Sequence, residues 1–542
     1  MEMKQERLSK LKHMANSVKT GQLDRREFMT LASIWGVGSA AASGMLGMTL
    51  ATPARAQDAK RGGVLRIGQQ ILDINDPRTY DWPQKSNVAR QFCEPLVRWE
   101  ADGSFSPSLL TAWEVSDDAL TYMLQVRQDA TWNNGDAFTA DDVVFNIRRM
   151  ADASVEGNSM AARLGALRDG DATEAAAGAV EKVDDYTVRL NLFRPDISLI
   201  PSFGDYPALC VHQSFAGQLQ DAPIGTGAFE LVEFNVGGSA ILKRRENGSW
   251  WGGEAYLDGL EFIDLGNDDA AFVAAFDDGA IDMNDETQSN SEEAFNALGL
   301  ERGVALTATT AVARMNTEQP PFDNQMLRNA VQIAVDNSIA LELAIAGLGS
   351  VADNHHVAPV HPEYANVPRA PHDPAKAKAM LDESGHSATE IELNSIDDGE
   401  LKDFADTVAA QLRDAGFNIK RRVLPGATFW NDWTKYPFST TSWGGRPLGV
   451  QVYALAYKSG EAWNESAHSN PEFDAKLDEA LGVFDPELRR PLMAELEKML
   501  QDSGVIVQAY WRELAMHHTA ALRGYTRHPL REMHLEKVWL DS

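Results

Sequence analysis

The stretch Thr441-Ser442-Trp443-Gly444-Gly445-Arg446-Pro447 holds the residues best suited to gripping a small molecule. A guanidinium offers a planar fork that fits carboxylate, phosphate or sulfate. Trp443 is a candidate stacking wall, and Gly444 and Gly445 complete the segment. Trp430, Trp433 and Tyr436 lie close by in sequence, and Tyr80 and Trp82 come from an early loop. Such aromatics suit sugar rings, aliphatic chains or cations alike. Core packing is the competing role for each, and the favoured one for Trp433.

Other reactive residue types point away from chemistry. His355-His356, with His361, is the cluster closest to a metal site. Adjacent histidines point differently and no carboxylate stands at ligand spacing, so no metal is expected. His517-His518 reads the same way. Cys93 and Cys210 are the only cysteines, which excludes a disulfide scaffold and a cysteine-built zinc site; two buried thiols are expected rather than a bridge. No G-x-S-x-G elbow, H-E-x-x-H, G-x-x-x-x-G-K-[ST] or Rossmann fingerprint occurs in the mature chain. No catalytic residue and no cofactor is therefore expected.

These side chains need a large frame. The chain has 542 residues, 44% hydrophobic and 24% charged, which is globular composition and enough for two or three lobes. Residues 1–56 read as a leader rather than as fold. Arg25-Arg26 precede a run, Phe28 to Ala54, without any charge, and Ala54-Arg55-Ala56 supplies small residues for a signal peptidase. The arginine pair resembles a twin-arginine export signal, with Asp24 in place of Ser/Thr and Met29-Thr30 in place of Leu-Lys. A Sec signal or an uncleaved anchor is the alternative. Without those residues, 41 basic and 75 acidic side chains give a formal charge of −34. Such a surface repels nucleic acid and anionic lipid. A soluble monomer in the periplasm is expected, touching the membrane only through a partner.

Local signals give an α/β order. Gly62 to Gly68 predicts an opening strand, and Thr121 to Arg127 alternates as a half-buried one, with Tyr122, Leu124 and Val126 inward. Thr139 predicts a helix cap before Val143, Val144 and Ile147. Leu327, Ala330, Val331 and Ala334 share one helical face. Asp373-Pro374, Asn470-Pro471 and Asp485-Pro486 start helices, Gly385 and Gly416 stop two, and Pro491 predicts a kink.

Several blocks then recur in a specific order. They are Glu94-Pro95-Leu96-Val97, Ala112-Trp113-Glu114-Val115-Ser116, Trp132-Asn133-Asn134-Gly135-Asp136 and Thr139-Ala140-Asp141-Asp142-Val143. Pro223-Ile224-Gly225-Thr226-Gly227-Ala228-Phe229, Trp250-Trp251-Gly252 and Pro320-Pro321-Phe322 with Leu327 to Asp336 follow. Together, over roughly Gly62 to Leu522, they resemble the extracytoplasmic solute-binding family 5 of dipeptide, oligopeptide and nickel receptors.

The resemblance implies an α/β, two-lobed periplasmic-binding-protein fold (class II, cluster C type) with an extra subdomain inserted in lobe I. Residues 57–97, 223–312 and 516–542 would form lobe I, 98–222 the insert and 313–515 lobe II. Crossings are expected near Thr307–Asn316 and Val505–His517. The implied function is capture of a solute between the lobes and delivery to an ABC permease and ATPase complex, without enzymatic activity. A chemosensory or chaperone role for the same fold is the alternative, and an exported hydrolase a more distant one. The motif residues are expected to be structural: Asp141 capping or pairing, Gly225 and Gly227 in tight turns, Arg328 in an internal salt bridge. Peptide-binding relatives place an Asp three residues after the Trp of this strand, where it holds the ligand's α-amino group. Arg446 occupies that position here, so the ligand group it accepts should be anionic, unless Arg446 pairs with a protein carboxylate.

Overall fold

The computed structural model describes residues 2–21, 23–47, 59–116, 118–246, 249–397 and 399–541. The chain forms two compact units: unit 1 is Met1–Thr287, Ser291–Val304 and Ala515–Ser542, and unit 2 is Gln288–Asn290 and Ala305–Leu514.

Unit 1 is built on a mixed sheet. Val64–Gly68 runs parallel to Gly259–Ile263 and to Met283–Asn284, while Gly259–Ile263, Ser239–Arg244 and Phe229–Asn235 follow one another antiparallel. A parallel pair needs a long crossover, and here residues 69–228 leave the sheet before it resumes at Phe229–Asn235. They include a separate four-stranded antiparallel sheet of Leu110–Val115, Thr121–Val126, Thr187–Asn191 and Val180–Asp184. Tyr122, Leu124 and Val126 are buried there, as the alternation predicts. Thr139 caps Ala140–Met150 by accepting from the Asp141 amide, and Asp142 returns a bond to the Thr139 amide at 2.9 Å.

Unit 2 carries a five-stranded mixed sheet in the order Asn418–Leu424, Glu390–Ile396, Phe438–Trp443, Thr310–Met315, Ile506–Gln508. Helices Gln325–Ala334, Pro374–Glu383 and Gly399–Asp414 bury their apolar faces in its core, through Leu327, Ala377 and Phe404 among others. Asp373, Asn470 and Asp485 each accept from amides two or three residues on, directly before a proline at the first helical position. Gly385 and Gly416 take positive φ just beyond their helices, the left-handed backbone that ends a helix most cheaply in glycine. The helix Pro486–Ser503 runs through Pro491 as a single element.

The amino-terminal segment, read from sequence as a leader, forms helices where it is described. Arg25–Ile34 is a helix capped by Asp24, with Phe28, Ala32 and Ile34 buried. It packs within unit 1: Thr30 Oγ1 donates to the Gly103 carbonyl at 2.7 Å, and the Phe105 amide donates to Ser33 Oγ at 2.9 Å. The Trp113 indole donates to the Ser33 and Ile34 carbonyls. The apolar run read as a leader also supplies a helix, and that helix meets Trp113. Ala54 and Ala56 lie outside the described residues. Among the described residues no helix is long and apolar enough to cross a membrane.

Candidate functional site

The site is best built outward from one buried charge. The strand Thr310–Met315 is buried along its whole length and contains the cation Arg314. Its Nε donates to Glu465 Oε2 at 3.0 Å, and its other nitrogens donate to the carbonyls of Trp433 and Tyr436. Glu465 also accepts from Thr441 Oγ1 and from the Trp443 indole, each at 2.7 Å. Burial raises the Glu465 pKa and lowers that of Arg314. Each charge therefore depends on the other, as expected of an ion pair removed from water.

This network fixes the aromatic wall. Trp443, Trp433 and Trp463 meet edge to face with centroids 6.0–6.4 Å apart, and His356 lies 5.6 Å from Trp443. Trp433 is half-buried against the unit 2 core, the packing role favoured for it; Trp430 is half-buried there too, edge-on to Phe429 at 5.0 Å. Glu465, Arg314 and Trp463 were not singled out from sequence as site residues. The available signal was a charge inside the largely apolar strand Thr310–Met315, which demands a partner.

Beyond Trp443 the chain turns through Gly444 and Gly445. The Gly445 amide donates to Thr309 Oγ1 at 3.3 Å, and a Cβ at Gly445 would stand 3.3 Å from Ala308. Arg446 is 5% exposed and its Nη1 donates to the carbonyls of Gly444 and Gly445 at 3.1 and 2.9 Å. Its own carbonyl is bonded by His361 Nε2 at 3.0 Å, while His361 Nδ1 accepts from the Ala358 amide. That pair of bonds sets the tautomer, with the proton on Nε2. His356 Nδ1 shares a 2.8 Å hydrogen bond with the Tyr457 hydroxyl. Burial first, then the neighbouring histidines and Arg446, push His356 down to about 3; burial does the same to His355. The histidines are thus neutral scaffolding around Arg446. Among the described residues no group of three or more His, Cys, Asp or Glu is placed to hold a metal ion.

In unit 1, Trp82 is half-buried at the start of the helix Pro83–Ala89. Tyr80 corrects its expected place on a wall: it is fully buried, with its hydroxyl 3.4 Å from the Asn75 carbonyl, so it belongs to the interior of the unit. Arg25 and Arg26 open the helix Arg25–Ile34. Cys93 and Cys210 are free, buried thiols, both pushed up by burial.

The family model described as "Bacterial extracellular solute-binding proteins, family 5 Middle" matches residues 104–465, about two-thirds of the chain. The chain belongs to that family. Among relatives of this solute-binding protein, heme-binding protein A of Haemophilus influenzae is 25% identical over 464 residues, covering 79% of this chain and 82% of that one. The periplasmic oligopeptide-binding protein of the same organism is 24% identical over 500 residues, covering 83% and 88%. The solved Escherichia coli murein tripeptide binding protein aligns with a TM-score of 0.79 at 20% identity, over 90% of this chain and 99% of that one. The fold expected from sequence is thereby shown.

In this solute-binding protein the motif residues hold the frame. Glu94 accepts from both indoles of Trp250 and Trp251 at 3.0–3.1 Å, which joins two blocks of the resemblance. Gly225 and Gly227 are needed for close approach rather than for turns: a Cβ would stand 1.8 Å from the Phe92 carbonyl oxygen and 2.6 Å from that of Gln91. Asp141 pairs with Lys182 at 2.8 Å. Arg328 differs from its expected salt bridge, because its guanidinium donates to the carbonyls of Ser503 and Phe322 at 2.9 and 2.6 Å.

Proposed function

We propose that this protein is the periplasmic receptor of an ABC importer, capturing a small solute that bears an anionic group and delivering it to a permease and ATPase complex. The family match over residues 104–465 carries the reading. The ligand-binding role is assigned to Arg446 as the cation, with Gly444 and Gly445 beside it and Trp443, Trp430 and Trp82 as walls. Burial of Arg446 supports this, since a guanidinium screened from water attracts an anion more strongly than an exposed one. The relatives are named for heme, oligopeptides and a murein tripeptide, all of which carry carboxylates. Export belongs to the same reading, with Arg25-Arg26 as a twin-arginine signal and cleavage after Ala56. The acidic mature surface fits a soluble monomer that meets the membrane only through the permease and binds no nucleic acid.

Mass spectrometry of the molecule that co-purifies with the exported protein tests this directly. The expected result is a small anionic solute that raises the melting temperature and is recovered unchanged. A solute that is turned over, or a protein that never carries one, would refute the receptor role.

A further inference from the structure

The C-terminal segment of unit 1 contains an arginine unlike the others buried there. Arg90 meets Glu532 at 2.7 Å, Arg163 meets Asp205 at 3.0 Å, and Arg531 pairs with Glu286. Arg527 is 4% exposed, yet none of its three guanidinium nitrogens has a carboxylate or carbonyl partner at hydrogen-bond distance among the described residues. Gly524, at φ 77°, turns the chain just before it. The Tyr525 hydroxyl is buried next to it, with Arg527 itself as its side-chain hydrogen-bonding neighbour.

Guanidinium N–H donors without an anionic acceptor in a dry interior are costly, because they lose water and gain little in return. The acid within reach is a poor remedy. Asp285 Oδ2 already accepts from Gln84 Nε2 at 3.0 Å. Burial pushes Asp285 up to about 6 against the pull of Arg531 and Arg527, so its own charge is weakly held. The elements around it are knit by uncharged amides: Asn87 Nδ2 donates to the Arg531 carbonyl at 3.0 Å, and Gln91 Nε2 to that of Met533 at 2.9 Å. The scaffold is therefore firm while the cation it presents lacks a firm counter-ion.

We infer that Arg527, with the Tyr525 hydroxyl, forms a subsite for a small oxyanion, the carboxylate of the captured solute. The inference rests on the receptor reading for the source of that carboxylate, though not for the existence of the anion site. The planar fork of Arg527 takes both carboxylate oxygens, and Tyr525 donates to one of them. Arg527 then selects for solutes with a correctly placed acid and rejects their amides, because an amide NH2 would face a buried cation.

The test uses the purified full-length protein after removal of bound solute, with sodium acetate as the free-anion probe at constant ionic strength. Acetate should raise the melting temperature of wild type and leave that of Arg527→Met unchanged. The unliganded variant should melt no lower than wild type, since it loses a buried unpaired charge. Arg527→Lys keeps the charge without the fork, and it and Tyr525→Phe should bind acetate roughly tenfold more weakly. An acetate response equal in wild type and Arg527→Met, or absent from both, overturns the subsite. In a second arm, the co-purified solute should bind Arg527→Met roughly thirtyfold more weakly or worse. Acetate discrimination without any recoverable solute would uphold the anion site and sink the receptor reading.

Discussion

Replacing Glu465 by glutamine keeps its shape and removes only its charge. Arg314, fully buried, would then keep the Trp433 and Tyr436 carbonyls but lose the Glu465 carboxylate, its one ion-pair partner among the described residues. Breaking a buried pair on one side costs about 3–5 kcal/mol, most of it the penalty of the stranded ion. The amide also turns one oxygen into an NH2 group that must face Trp443, Thr441 or Arg314, all of which now donate. For a unit of some two hundred residues, this loss lowers the melting temperature by roughly 6–20 °C. Scanning calorimetry of the full-length protein reads the shift. Near-ultraviolet circular dichroism reports whether the Trp443, Trp433 and Trp463 cluster loses its fixed geometry. The double variant Glu465→Gln with Arg314→Met should recover at least half of the loss, because it removes the stranded cation as well. A single variant that melts within about 2 °C of wild type would refute the reasoning, since the carbonyl partners alone would then suffice.

Glu497 is fully buried, and burial, helped by Glu363 and Asp353, pushes it up to about 9. The folded protein therefore keeps a proton that the unfolded chain sheds above its ordinary carboxylate pKa, so stability falls as pH rises, by about 1.4 kcal/mol per unit between roughly pH 5 and 8. Glu497→Gln should remove that slope in urea unfolding across this range, and parallel pH profiles for the two proteins would contradict it. At Arg446, a free α-amino group at about 4 Å with an effective dielectric near 20 costs on the order of 4 kcal/mol, or roughly a thousandfold in affinity. Arg446→Asp should weaken the co-purified solute by about a hundredfold or more in calorimetry; an indifferent variant, or tight binding of free-amine peptides by wild type, returns Arg446 to a structural role. Changing Arg25 and Arg26 both to lysine should leave precursor in the cytoplasm on fractionation, and normal export would remove the twin-arginine signal.

The features legible in the sequence are those whose physics is local. The caps Thr139, Asp373, Asn470 and Asp485 accept from amides two or three residues away, and the alternation in Thr121–Val126 needs only the strand's own period. The family blocks, read in order, carried the fold. The sequence pointed to Arg446 as a candidate cation for recognition, but not to its side chain folding back onto the Gly444 and Gly445 carbonyls. Partners distant in the chain were out of reach. Arg314 and Glu465 are 151 residues apart, and Glu94 is 156 from Trp250. Which carboxylate neutralises a buried arginine depends on which strands the sheet brings together, and a pairing of that kind leaves no trace in spacing. The same holds in reverse for Tyr80 and Arg527. Burial of Tyr80, and of Arg527 without a carboxylate bonded to it among the described residues, are properties of the surroundings. Tertiary packing alone creates those surroundings, because desolvation acts on a side chain only through the atoms that exclude its water.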